Sequence, residues 1–150
     1  MKTFFLAISL MLTIWGQSFA QPIPHPATSH NKPRLFTNLP SRLAVRLSDC
    51  ESLLNLPVGA VVQSTIADGL TWTGRVVSKS KDGQPYQTIV IRSTDRQGAS
   101  FSLTKTQDET GVVRFRGRIV SLGHGDAFNL VLQEGRYYLI KQNLDEVVTE

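Results

Sequence analysis

Residues 111–141, GVVRFRGRIVSLGHGDAFNLVLQEGRYYLIK, decide the fold. Val113, Phe115, Gly117 and Ile119 fall on one face of an extended chain, and Val112, Arg114, Arg116 and Arg118 on the other. That period of two is the mark of a half-buried strand. Gly123-His124-Gly125-Asp126 breaks the run. Phe128, Leu130 and Leu132 then recur at every second position, Glu134-Gly135 supplies a turn, and Tyr137 and Leu139 continue beyond it. The stretch reads as three strands joined by two tight turns.

The same grammar extends back towards the N-terminus. Ala60 to Ile66 reads as a strand, Asp68-Gly69 as a hairpin turn, and Leu70 to Ser78 as a strand with Trp72, Gly74 and Val76 on one face. Lys81 to Pro85 is a loop, Tyr86 to Arg92 a strand, and Ala99 to Thr106 a strand with Phe101 and Leu103 inward. Ser41 to Val45 is either a short strand or a surface segment, and Leu144 to Val148 a last short strand or a fraying tail. About seven strands at short, regular intervals predict a mainly β domain, an antiparallel meander rolled into a barrel or a sandwich. One short N-terminal helix is expected at Ser48 to Leu54, with Ser48 as N-cap, Glu51 completing a capping box, and Pro57 and Gly59 ending it. Gly74 and Gly117 lie inside strands, each two residues after an aromatic, and mark where the sheet bends.

Ahead of this domain, Lys2, an apolar run from Phe4 to Trp15 and Ser18-Phe19-Ala20 have the layout of a secretory signal over residues 1–20, cut after Ala20. The run is shorter than the roughly 20 residues of a spanning helix, which disfavours a retained anchor and leaves no transmembrane segment after cleavage. Cleavage leaves 130 of the 150 residues, with 15 Lys and Arg against 12 Asp and Glu, a net charge of +3. The protein is expected to be secreted or periplasmic. Residues 21–40, with five prolines, read as an extended, poorly ordered leader, and His25 and His30 as solvated residues within it. Residues 41–150 form a single domain, large enough for one core. Cys50 is the only cysteine, so no intrachain disulfide forms, and a buried thiol is the favoured state.

Catalytic signatures are missing. There is no His-Glu-x-x-His motif and no Gly-x-Ser-x-Gly elbow. His124 and Asp126 share one tight turn, and Asp68, Asp82, Asp95, Asp108, Glu109 and Glu134 occupy turns rather than a cleft. No catalytic residue, metal ligand or cofactor is predicted. Arg114, Arg116 and Arg118 project from one strand face about 6.8 Å apart, with Arg75 on a comparable face. Guanidiniums so aligned suit carboxylates, phosphates or sulfates. Either they form a solvated outer face with cross-strand carboxylate pairs, which is the favoured state, or a polyanionic partner compensates them. Nucleic acid would call for more charge and for aromatics on the same face, and is not expected.

Several motifs resemble the N-terminal pro-region of secreted bacterial zinc metalloproteases of the reprolysin-like (metzincin) type. They are Leu53-Leu54-Asn55-Leu56-Pro57-Val58-Gly59, Asp68-Gly69 leading into Trp72-Thr73-Gly74, Phe101-Ser102-Leu103-Thr104, Gly117-Arg118-Ile119, and Tyr138-Leu139-Ile140. The resemblance implies a module without a catalytic domain that inhibits or helps to fold an exported metalloprotease. It also makes Cys50 the one candidate for a zinc-capping thiol. Two other functions remain open: a cell-envelope or adhesion module that binds anionic polysaccharide through Arg75, Arg114, Arg116 and Arg118, and a small-ligand-binding barrel.

Overall fold

The computed structural model describes residues 31–81 and 83–148. The expected signal, the first ten residues of the leader with both its histidines, and Asp82 of the Lys81–Pro85 loop lie outside the described residues. Eight strands form one antiparallel sheet: β1 (Arg42–Ala44), β2 (Val61–Ala67), β3 (Leu70–Lys79), β4 (Tyr86–Ser93), β5 (Ala99–Gln107), β6 (Val113–Ser121), β7 (Asp126–Gln133) and β8 (Arg136–Asn143). From β2 to β8 each strand pairs with the next, and β1 adds outside β8. Helix α1 (Leu47–Leu54) joins β1 to β2, and α2 (Leu144–Val148) follows β8. The meander curls into a half-barrel whose edges meet where the Asp68 N–H donates to the Ala44 carbonyl at 2.9 Å.

Strand alternation builds the core. Leu70, Trp72, Gly74 and Val76 of β3 point inward, as do Ile89 and Ile91 of β4, Ala99, Phe101 and Leu103 of β5, and Phe115 and Ile119 of β6. Trp72 meets Phe101 edge-on with centroids 6.1 Å apart, and Phe115 meets Tyr137 at 5.8 Å. Cys50, Leu53 and Leu54 of α1 join the same cluster. Each fully buried Leu, Ile or Phe contributes about 1.5–3 kcal/mol, so a packed interior stabilises the domain without a disulfide. A Cβ on Gly74 would strike the Arg92 carbonyl of β4, and one on Gly117 would stand 2.9 Å from the Ser102 carbonyl of β5. Both glycines therefore mark close strand approach.

The structure departs from the sequence reading at three places. Residues 31–40, expected within the leader, are packed on the sheet. Phe36 is 1% exposed and meets Phe128 at 5.1 Å. Leu35 and Phe36 donate their backbone N–H groups to the Asp126 carboxylate at 2.6 and 2.9 Å, and Lys141 donates to the Phe36 and Leu39 carbonyls. Phe36, the buried Asp126 carboxylate, Lys141 and the Gly125 N–H, which donates to the Pro33 carbonyl at 2.9 Å, together dock this strap.

The second difference is the start of α1. The helix begins at Leu47, and its N-cap, Arg46, makes no side-chain capping bond. Ser48 instead donates to Asp49, and Glu51 pairs with Lys105 at 2.9 Å. The Arg46–Asp49 ion pair at 3.2 Å and the packing of Leu47 on the core set the start in place of a capping box. Third, Leu144 to Val148 is neither strand nor loose tail but the helix α2. Asn143, just before it, donates its backbone N–H (3.3 Å) and its side-chain amide (3.0 Å) to the Glu146 carboxylate, which folds back over the helix start, and Leu144 is buried against Ala127.

Candidate anion-binding face

Tight turns at both ends set β6, and alternation sends Arg114, Arg116 and Arg118 to its convex side, all exposed. Register decides what stands beside them. On β5, Arg114 faces Thr106, Arg116 faces Thr104 and Arg118 faces Ser102, while on β7 Arg118 faces Asn129. No carboxylate occupies a neighbouring position. Arg75 of β3 lies on the same convex side, directly opposite Arg92 of β4, and its guanidinium donates to the Gly59 carbonyl at 2.7 Å. Arg42 of β1 and Arg136 of β8 share that side, with Arg42 stacked 3.7 Å above the Tyr138 ring.

Seven arginines thus share the convex surface. The eight strands contain one carboxylate, Asp126, which is buried on the concave side and bonded to the strap. Two unit charges 6.8 Å apart in water repel by about 0.6 kcal/mol, so the row costs the domain little. The nearest acid to Arg114 is in the β5–β6 turn. There Asp108 is held below the usual carboxylate range first by the Thr110 hydroxyl, then by the Val112 N–H, and least by Arg114. Asp108 is occupied by its own turn and leaves Arg114 unbridged. Arg118 and Asn129 each have partners.

Pairing is uneven around β6. All nine residues of β5 face β6, whereas β6 and β7 pair only at Arg118–Asn129 and Ile119–Phe128. Beyond Arg118 the two strands part, and the Phe115 N–H is taken by the Tyr137 hydroxyl at 3.0 Å instead of by a β7 carbonyl. Over this stretch lies a convex-side groove of about 670 Å³, lined by Ser102, Thr104 and Thr106 of β5, Arg116, Gly117 and Arg118 of β6, and Asn129 and Leu130 of β7.

Of the residues predicted from sequence, Arg114, Arg116 and Arg118 stand together, and Arg75 lies on the same surface three strands away. Cys50 is elsewhere. It is 1% exposed inside the core, and burial, then Asp49 and Glu51, push its thiol up to about 11. A neutral, enclosed thiol fits the core reading of Cys50. His124 accepts from or donates to Ser121 at 2.8 Å within its own turn, and Asp126 faces away to the strap. Among the described residues, no three His, Cys, Asp or Glu side chains come together to hold a metal ion, and no helix is long and apolar enough to cross a membrane. Sequence reasoning missed Arg92 and the hydroxyl row of Ser102, Thr104 and Thr106. Both sit at alternate positions of recognisable strands, but only the register shows that they border the arginines.

Comparison with family models, with curated proteins and with solved structures finds no match in any of the three.

Proposed function

We infer that this chain is an exported, non-enzymatic binding module whose convex arginine face holds an anionic glycan. One observation carries the reading: seven arginines on the convex surface of a sheet whose strands contain no carboxylate there. Sulfate and carboxylate oxygens are the natural complement of guanidinium forks bordered by hydroxyls. The concave interior, which a small ligand would need, is filled by Trp72, Phe101, Phe115 and Phe128. The test is retention on a sulfated, heparin-like resin. The protein is expected to bind at low salt, and the combined change of Arg75, Arg114, Arg116 and Arg118 to Gln to move elution to much lower salt. Retention that survives the four changes overturns the reading.

A second reading, the metalloprotease pro-region, rests on the motifs quoted above from Leu53 to Ile140. In that case a surface rather than Cys50 makes the contact, because Cys50 is enclosed. Protein that leaves co-exported metalloproteases at full activity and never co-purifies with one counts against it.

A further inference from the structure

We propose that a linear anionic glycan lies lengthwise along β6, over the groove that β5, β6 and β7 line, with Arg116 of the groove and Arg114, next along the strand, as its principal contacts. This rests on the glycan reading above and adds a site, a direction and a ranking of residues to it.

Direction follows from how charge is distributed over the sheet. Along β6, arginines recur at every second residue, a step of about 6.8 Å, so three of them span about 14 Å. Across the sheet, the positions facing them on β5 are Thr106, Thr104 and Ser102. The next cation on that side, Arg92, is on β4 and roughly 10 Å away by strand spacing alone. A chain of regularly spaced anions meets successive guanidiniums only if it runs parallel to β6.

Shape points the same way. Because β6 and β7 pair at only two positions, the convex surface dips beside Arg116 instead of continuing flat. The Tyr137 hydroxyl keeps that dip open, since it satisfies the Phe115 N–H that a β7 carbonyl would otherwise take. A buried N–H left without a partner would favour zipping the two strands together. Of the three hydroxyls beside the groove, Thr104 is bonded to Thr88 at 2.9 Å and the other two are weakly committed. Ser102 and Thr106 reach the Arg118 and Arg114 carbonyls at 3.4 Å, long for hydrogen bonds from a hydroxyl, so both can turn towards ligand oxygens.

Ligand class follows from what stands in the row. No aromatic side chain occupies the convex positions of β5 or β6, so stacked bases have no platform there. Fixed anions and hydroxyls, which sulfated or uronic polysaccharides carry, are what the groove can bind. Arg118 already has a partner, so it contributes less than Arg114 and Arg116.

The test titrates the full chain with heparin-derived oligosaccharides of increasing length. Affinity is expected to rise until the oligosaccharide spans about 14 Å and then to level off. Arg114→Gln and Arg116→Gln should each weaken binding about tenfold and reduce the dependence of log affinity on log salt by roughly one unit. Arg118→Gln should have a smaller effect, and Arg92→Gln and Arg136→Gln, on the same face but outside the groove, a smaller one still. Circular dichroism on each variant confirms the fold. Equal losses for Arg92→Gln and Arg116→Gln would show diffuse binding over the whole face, overturning the groove while leaving the glycan reading intact. Tighter binding of a single-stranded oligonucleotide of matched charge overturns the ligand class. No binding of any oligosaccharide by the unaltered chain overturns both.

Discussion

On its concave side β6 presents Phe115 and Ile119 to a packed interior, while on its convex side the same nine residues present Arg114, Arg116 and Arg118 to water. Phe115 packs against Tyr137 and under Lys105, whereas Arg116 has only a threonine across from it. One side of the strand is therefore where folding free energy is gained. The other costs about 0.6 kcal/mol per adjacent arginine pair, an amount that salt screens further. A face on which stability does not depend is free to be specialised for a ligand. The strand composition follows that division, with the single strand carboxylate, Asp126, used inside for docking and none outside.

The largest test of the contrast is Trp72, fully buried on the concave side. Trp72→Ala should cost about 3–5 kcal/mol in chemical denaturation. Trp72→Phe should cost much less, because the indole Nε1 has no hydrogen-bond partner and Phe removes a buried donor. Equal losses for the two would mean that the aromatic packing contributes little. Next is Asp126→Asn. It replaces a carboxylate that accepts two backbone N–H groups and should cost about 2 kcal/mol, with proteolysis near Leu35 and Phe36 accelerated. Unchanged protection of the strap would mean that Phe36 and the Lys141 bonds hold it without the carboxylate.

A smaller effect is expected from Cys50. Its thiol titrates near 9.0 when unfolded and at about 11 in the fold. The folded state thus holds the proton more tightly, and the stability from the neutral thiol is complete below pH 9 and lost as pH rises towards 11. Denaturation midpoints at pH 8 and pH 10.5 measure it, and Cys50→Ser should abolish that part of the slope. In the native protein at pH 8 the thiol should resist alkylation until denaturant is added. Smallest of all, Arg116→Gln should change stability by less than about 0.5 kcal/mol. A large loss there would show that the convex face supports the fold and would erase the contrast.

Much of this was legible residue by residue. The apolar alternation of Leu70 to Val76 and of Phe128 to Leu132, and the Asp68-Gly69 and Glu134-Gly135 turns, locate strands and hairpins because each is a local signal. The Asn143-x-x-Glu146 capping pattern was also present, but five residues at the end of a β pattern read more readily as a strand than as a helix. The strap was not legible, since Phe36 and Asp126 are 90 residues apart and nothing local in a proline-rich stretch announces a docking partner.

By itself the sequence determined the secondary structure of the meander, the inward placing of Trp72, Phe101, Phe115 and Phe128, and the outward placing of Arg114, Arg116 and Arg118. A period of two depends only on neighbours along the chain. Tertiary structure alone decided that Arg75 and Arg92 oppose each other, that hydroxyls rather than carboxylates border the arginine row, and that β6 parts from β7. Those are questions of register and curl, which the packing of all the strands around one core sets together.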